Sequence, residues 1–292
     1  MVGLGRAPSR KGGKAARPAA MPLPPGLPRE HIREMFRVAT YNIQKSVGLD
    51  GRRQPERILE VIGELDADIL ALQEVDRRYG RRQSTLPPEL IAARSDFKPV
   101  PLSVNGASLG WHGNAILVRH AIRVLEARRL TLPMLEPRGA VMATVEVAGG
   151  LLRVVATHLS LVGAFRKRQI DSLTSQIHGA RGHDVPTVIL GDLNEWREWS
   201  DSMKILHPRY RIISPGRSFP AAMPAISLDR IVTGPGLVVH IAGVHRSETA
   251  RIASDHLPVW AELSFAERVR RRPGGPARRG AAQSTGEASR AI

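Results

Sequence analysis

No cysteine occurs anywhere in the 292 residues. Disulfide staples and thiolate metal sites are excluded, and any metal must be held by oxygen or imidazole. Such a chain fits a reducing compartment without requiring one. Aromatic residues make up only 4% of the sequence, and no clear stacking platform for bases stands out. No apolar run has the length needed to span a bilayer. The basic N-terminus runs through Gly, Ala, Pro and Arg and lacks the apolar centre of a secretory signal. A soluble, cytoplasmic protein is expected. Acids are also scarce: 27 Asp and Glu stand against 43 Lys and Arg, a net charge of +16.

That charge is unevenly spread. Residues 1–35 and 267–292 each carry seven Lys or Arg and two acids, +5 apiece, which leaves +6 for the middle. Both tails are rich in Gly, Pro, Ala and Arg and cannot bury enough apolar surface to fold. They are expected to be disordered and to draw the protein weakly toward polyanions in a salt-dependent way. Residues 36–266 are then the folded domain.

Within it, strand-like and helix-like segments alternate. Phe36–Asn42, Asp68–Gln73, Asn114–Arg119, Ile122–Leu130, Ala140–Val147 and Leu151–Thr157 read as strands, followed by Val185–Leu190, Leu228–Val232, Leu237–Val244 and Leu257–Leu263. Glu56–Leu65 after Pro55, and Ala164–Ala180, read as amphipathic helices. The Gly149-Gly150 turn implies antiparallel pairing, which disfavours a purely parallel doubly wound sheet. Two mixed sheets packed together with helices outside accommodate both the hairpins and the crossovers.

Polar groups gather at the strand ends. In Val188-Ile189-Leu190-Gly191-Asp192-Leu193-Asn194 an apolar strand ends on a glycine and then offers a carboxylate and a carboxamide two residues apart, on one side of the strand. Tyr41-Asn42-Ile43-Gln44, Leu72-Gln73-Glu74, Ala156-Thr157-His158 and Ser254-Asp255-His256 follow the same grammar. Such residues suit a water, a hard cation or a phosphate oxygen.

Taken with Gly113-Asn114-Ala115-Ile116 and Leu228-Asp229-Arg230-Ile231, these motifs resemble, in order and spacing, the endonuclease/exonuclease/phosphatase superfamily of metal-dependent phosphoesterases. Trp196-Arg197 and Ser218-Phe219-Pro220-Ala221 add to a likeness with its small bacterial hydrolases. The resemblance implies a DNase I-like α/β fold, a four-layer α/β/β/α sandwich of two mixed sheets flanked by helices. It implies Glu74 as the direct metal ligand, with Asn42 and Asp255 near the ion and Gln44 a weaker candidate, because an amide adds no charge. Mg2+ is the expected ion and Mn2+ a substitute, the donors being oxygen-rich. Asp229 and His256 correspond to an acid–imidazole pair in which the ring takes a proton from water. Asp192 would orient that water or assist the leaving group, Asn194 would donate to a phosphate oxygen, and His158 would contact phosphate or act as general acid.

Arg138 is a candidate phosphate clamp, or one exposed arginine among many. Asn114 supports the loop carrying Asn42, touches substrate or serves its turn. His112, Trp111 and Trp196 are candidates to shape the substrate mouth. The implied function is in-line hydrolysis of a phosphodiester, whether nucleic acid, phospholipid or small diester, by a monomer with no stable protein partner. The alternative is an inactive member of the same fold that binds nucleic acid or anionic membrane through its basic surface.

Overall fold

The computed structural model describes residues 34–266 apart from 135, 181, 183 and 198. The two basic tails therefore lie outside the described residues, apart from positions 34 and 35. Among the described residues, twelve strands form two six-stranded sheets. The first contains β1 (Phe36–Asn42), β2 (Ile69–Gln73), β3 (Phe97–Pro99), β4 (Ala115–Arg119), β11 (Leu237–Val244) and β12 (Val259–Phe265), in the order β11-β12-β1-β2-β4-β3. The second contains β5 (Arg123–Leu130), β6 (Gly139–Val147), β7 (Gly150–His158), β8 (Thr187–Asp192), β9 (Arg211–Ile213) and β10 (Asp229–Thr233), in the order β5-β6-β7-β8-β10-β9.

Strand parity decides the layers, because alternate side chains leave a strand on opposite faces. Val38, Ile69, Ala71, Ile116 and Ala261 of the first sheet meet Val141, Ala143, Val154, Val188 and Ile231 of the second in one buried core. Their neighbours Ala39, Tyr41, Leu70, Leu72 and Leu117 face outward against helix α1 (Pro55–Leu65), with α2 (Pro88–Arg94) and α5 (Glu248–Ala253) beside it. On the far side Met142, Val155, Ile189 and Val232 pack under α3 (Gly163–His178) and the short α4 (Asp201–Lys204). The result is the expected α/β/β/α sandwich. No helix among the described residues is long and apolar enough to cross a membrane.

Pairing then fixes where the polar motifs go. β1 runs parallel to β2 with Asn42 opposite Gln73, and β7 runs parallel to β8 with His158 opposite Asp192. β10 runs antiparallel to β8 with Asp229 opposite Asp192, and β6 antiparallel to β7 with Gly139 opposite His158. The ends of parallel strands and the beginnings of antiparallel ones thus meet on one rim. Gly191 is required there: a Cβ on it would stand 1.9 Å from the Thr157 carbonyl oxygen.

Candidate active site

Asp192 is the hub of this rim. It is 2% exposed and sits where β8 ends. Its Oδ2 accepts from Asn42 Nδ2 at 3.1 Å, at the end of β1 in the other sheet. The same oxygen lies 3.3 Å from His158 Nε2 and 3.7 Å from His256 Nε2. Its Oδ1 accepts from the Asn194 backbone N–H at 2.9 Å, which the left-handed conformation of Asn194 (φ 49°) presents. Burial alone would raise this carboxyl, but His158, then His256 and the Asn194 amide, hold it below the usual carboxylate range.

His256 is fixed from behind. Its Nδ1 lies 2.9 Å from Oδ2 of the fully buried Asp229, and the Ser218 hydroxyl donates to that oxygen at 2.5 Å. Burial opposes a charge on the ring, yet Asp229 most of all, then Asp192 and Asp255, raise its pKa to about 10. With no ion beside it, the ring is thereby biased toward its charged form, which the Asp229 carboxylate favours most. Asp229 Oδ1 is buried with no hydrogen-bond partner among the described residues, an oxygen left for a water or a cation.

Glu74, beyond the end of β2, takes a left-handed conformation (φ 56°). Its carboxylate pairs with the Lys45 ammonium, a contact that sequence reasoning missed because a lysine in a basic chain reads as surface. Burial pushes the Glu74 carboxyl up, but His158, Lys45 and Arg138 outweigh it and lower it. Across the cleft, burial and the charge of Glu74 raise Asp255 despite opposition from His256. Glu74 and Asp255 thus feel one another's charge, and carboxylate oxygens are the donors a hard divalent ion prefers. Asn42 adds an amide oxygen, which accepts only the Gln44 backbone N–H, at 3.2 Å, among the described residues. Asp192, Asp229 and His256 are a second group, with ligand atoms within 4.8 Å of one another. Within it Asp229 and His256 are hydrogen-bonded to each other, and Asp229 keeps one buried oxygen without a partner among the described residues.

Other candidates are committed to the frame. Gln44 Oε1 accepts the Asp255 backbone N–H at 3.2 Å, so it steadies the Asp255 turn. Asn194 Nδ2 donates to the Leu159 carbonyl at 2.9 Å, tying the ends of β7 and β8 together. Asn114 is fully buried; its Nδ2 donates to the Gly139 carbonyl at 3.0 Å, across to β6, and lies 3.4 Å from the Trp111 and His112 carbonyls of its own turn. Arg138 is buried rather than exposed: it pairs with Glu136 at 3.0 Å and sets Nη1 2.6 Å from His158 Nδ1. His112 lines the cleft beside Glu74 and takes Arg82 Nη1 at 2.8 Å from its Nδ1. Trp111 instead packs against the inter-sheet core, and Trp196 is exposed in a separate groove.

A buried ion pair braces the loops that carry His158 and Asn194. Arg166 on α3 reaches Glu195 at 2.9 Å and the Ser160 carbonyl at 2.9 Å, with side chains 9% and 6% exposed for the pair. Burial raises Glu195, but bonds from Ser200, Ser202 and the Arg197 backbone, with Arg166, bring its pKa to about 2. The stability it contributes is fully present above its unfolded pKa of about 4.3 and is lost as pH falls toward 2. Glu195→Ala should therefore lower stability by about 3–5 kcal/mol at pH 7. The same variant should flatten the acid limb of a urea-midpoint versus pH curve. An unchanged limb would show that the pair is inert.

A family model described as "Endonuclease/Exonuclease/phosphatase family" matches residues 39–256. The uncharacterized protein YbhP of Escherichia coli (strain K12) is 28% identical over 255 residues, covering 78% of this chain and 96% of that one. The crystal structure of the endonuclease/exonuclease/phosphatase from Beutenbergia cavernae DSM 12333 is 26% identical, with a TM-score of 0.59, covering 80% of this chain and 72% of its own. The human Nocturnin catalytic domain with bound sulfate anion shares the fold at 21% identity and a TM-score of 0.60, covering 80% of this chain and 94% of its own.

Proposed function

This chain belongs to the Endonuclease/Exonuclease/phosphatase family, and from that premise we propose that its rim site hydrolyses phosphodiesters with a divalent cation. The observation that carries the reading is the single Asp192 oxygen shared by Asn42, His158 and His256. A buried carboxylate that draws groups from both sheets to one point is built to position something between them. Glu74, Asp255 and Asn42 would hold Mg2+ or Mn2+, which when bound supplies positive charge to the phosphoryl oxygens.

The protein's own groups do the rest. Asp192, kept ionised, accepts a hydrogen from the attacking water and aligns it. Asp229 holds Nδ1 of His256, so that Nε2 faces the reaction space and is the atom through which the ring exchanges a proton. While protonated, that ring offsets negative charge as the phosphoryl group expands. His158, backed by Arg138, stands on the opposite side of Asp192 and is placed to donate to a phosphate oxygen or to the leaving group. The second amide hydrogen of Asn194 is available for a further phosphate oxygen.

The test is turnover of bis-p-nitrophenyl phosphate with magnesium, with manganese and with EDTA. Metal-dependent release of nitrophenol is expected, and EDTA should abolish it. Glu74→Gln should raise the manganese concentration for half-maximal rate by about tenfold or more, the usual order of loss when a ligand set is weakened. If no metal-dependent turnover is found, the reading fails. Nucleic acid, phospholipid and small diesters are then separated by a substrate panel, and gel filtration checks the expected monomer.

A further inference from the structure

We propose that the wall of the cleft beside Glu74 is a subsite for a second phosphate, so that the substrate carries an anionic phosphate beyond the one that is cleaved. The inference rests on the hydrolase reading above and narrows its substrate class.

The cleft that holds Glu74, Arg138 and His158 is also lined by Lys45, Arg77 and Arg78. It continues into a groove of about 540 Å³ lined by Lys45, Arg53, Arg77, Arg78 and Tyr79. Small-molecule sites span roughly 300–1,000 Å³, so this space takes a phosphate and the group that bears it. No acid lines the groove.

What singles it out is that two neighbouring arginines line both the cleft and the groove. Several arginines elsewhere meet carboxylates, among them Arg37 with Glu262, Arg119 with Asp66 and Arg123 with Glu146. The guanidinium groups of Arg77 and Arg78 have no acid or hydrogen-bond partner among the described residues. Two adjacent positive forks in a concavity, neither of them ion-paired, gain most from an anion whose oxygens match the fork, which is a phosphate.

The wall is anchored rather than loose at its base. The Arg77 backbone N–H donates to the Gln83 carbonyl at 2.9 Å, and Asp76 pairs with Ser84 as an isolated bridge. The Asp76 carboxylate accepts the Leu109 backbone N–H at 2.7 Å, fastening this turn to the 105–110 loop. Arg53 Nε donates to the Lys45 carbonyl at 3.1 Å and so joins the groove to the turn beside Glu74. Tyr79, 82% exposed, offers a ring face to whatever carries the second phosphate.

Two substrate pairs test this and separate the sources of such a phosphate. One is thymidylyl-thymidine with and without a 5′-phosphate; the other is glycerophosphoglycerol with and without a terminal phosphate. With manganese-loaded full-length protein, the phosphate-bearing member of at least one pair should have a kcat/KM about tenfold or more above its partner, mainly through KM. In the double variant Arg77→Gln/Arg78→Gln that ratio should collapse toward unity, and Arg77→Lys/Arg78→Lys should restore part of it. A thermal midpoint matching wild type shows that the variants are folded. Equal rates or no turnover in both pairs, beside active hydrolysis of bis-p-nitrophenyl phosphate, would overturn the subsite alone. So would a ratio that survives the double substitution. Loss of turnover on every ester, bis-p-nitrophenyl phosphate included, would remove the hydrolase reading and the subsite together.

Discussion

Asp192→Asn should lower kcat on a small phosphodiester by about 10³-fold or more while the chain still folds, the scale expected when both acid–base and electrostatic roles are lost. The substitution keeps the shape of the side chain and removes its charge. In the native site one oxygen receives Asn42 Nδ2 and faces the Nε2 atoms of His158 and His256. An asparagine oxygen can still accept from Asn42, but it no longer balances two imidazoles and is a poor acceptor for a water that must become hydroxide-like. If the amide turns its nitrogen toward Asn42 instead, two donors meet and the link between the sheets is lost. The structural cost should stay near the 1–3 kcal/mol of one buried charged hydrogen bond, because His256 keeps Asp229 and the inter-sheet core is untouched. Steady-state kinetics on bis-p-nitrophenyl phosphate, beside urea unfolding, separates the two effects. A kcat within tenfold of wild type in the folded variant would remove Asp192 from the chemistry.

The long strands were legible because their periodicity is local. Phe36–Asn42 and Leu237–Val244 have the predicted bounds, and Gly149-Gly150 joins β6 to β7 as a tight antiparallel turn. The short elements were not. β3 is only Phe97-Lys98-Pro99 at a sheet edge, with a proline that marks the edge but hides the strand; β9 is three residues long. The helices Pro88–Arg94 and Glu248–Ala253 span too few turns to establish a period, although Pro88 and the Ser247 cap are sound start signals in retrospect.

The site divides the same way. Residue types at strand ends are visible in a sequence, but what each side chain touches depends on pairings across the sandwich. Asn42 and Asp192 are 150 positions apart and belong to different sheets. Nothing near Lys45 announces that it will neutralise Glu74, and nothing near Asn114 announces that its amide is spent on Gly139. Ser218 stood in a recognised motif, yet its bond to Asp229 depends on the strand that starts eleven residues later. Long-range register, rather than local propensity, assigns these roles.

Asp229→Asn tests the other half of the reaction centre and should lower kcat by about 10³–10⁴-fold, the scale seen when the carboxylate that orients a catalytic imidazole is made neutral. The variant can keep a hydrogen bond to His256 through its amide oxygen and can still accept from Ser218, so packing is largely preserved. What disappears is the main charge that holds the ring protonated. In the ion-free native chain the ring pKa is raised to about 10. A histidine raised in the folded state contributes stability that is fully present below its unfolded pKa of about 6.5 and is lost as pH rises through the folded value. Wild-type protein in EDTA should therefore lose stability between about pH 6.5 and pH 10. In Asp229→Asn this loss should be smaller and should end at lower pH, since only Asp192 and Asp255 still favour the charged ring. A nitrogen-15 titration of His256 should show the same downward move directly. A ring that titrates at the same pH in both proteins would mean that Asp229 does not govern it, and a kcat that survives the substitution would leave Asp229 as a structural acceptor for Ser218. A lowered pKa together with a collapsed kcat would establish Asp229 as the group that sets both the charge and the direction of the imidazole on which the water depends.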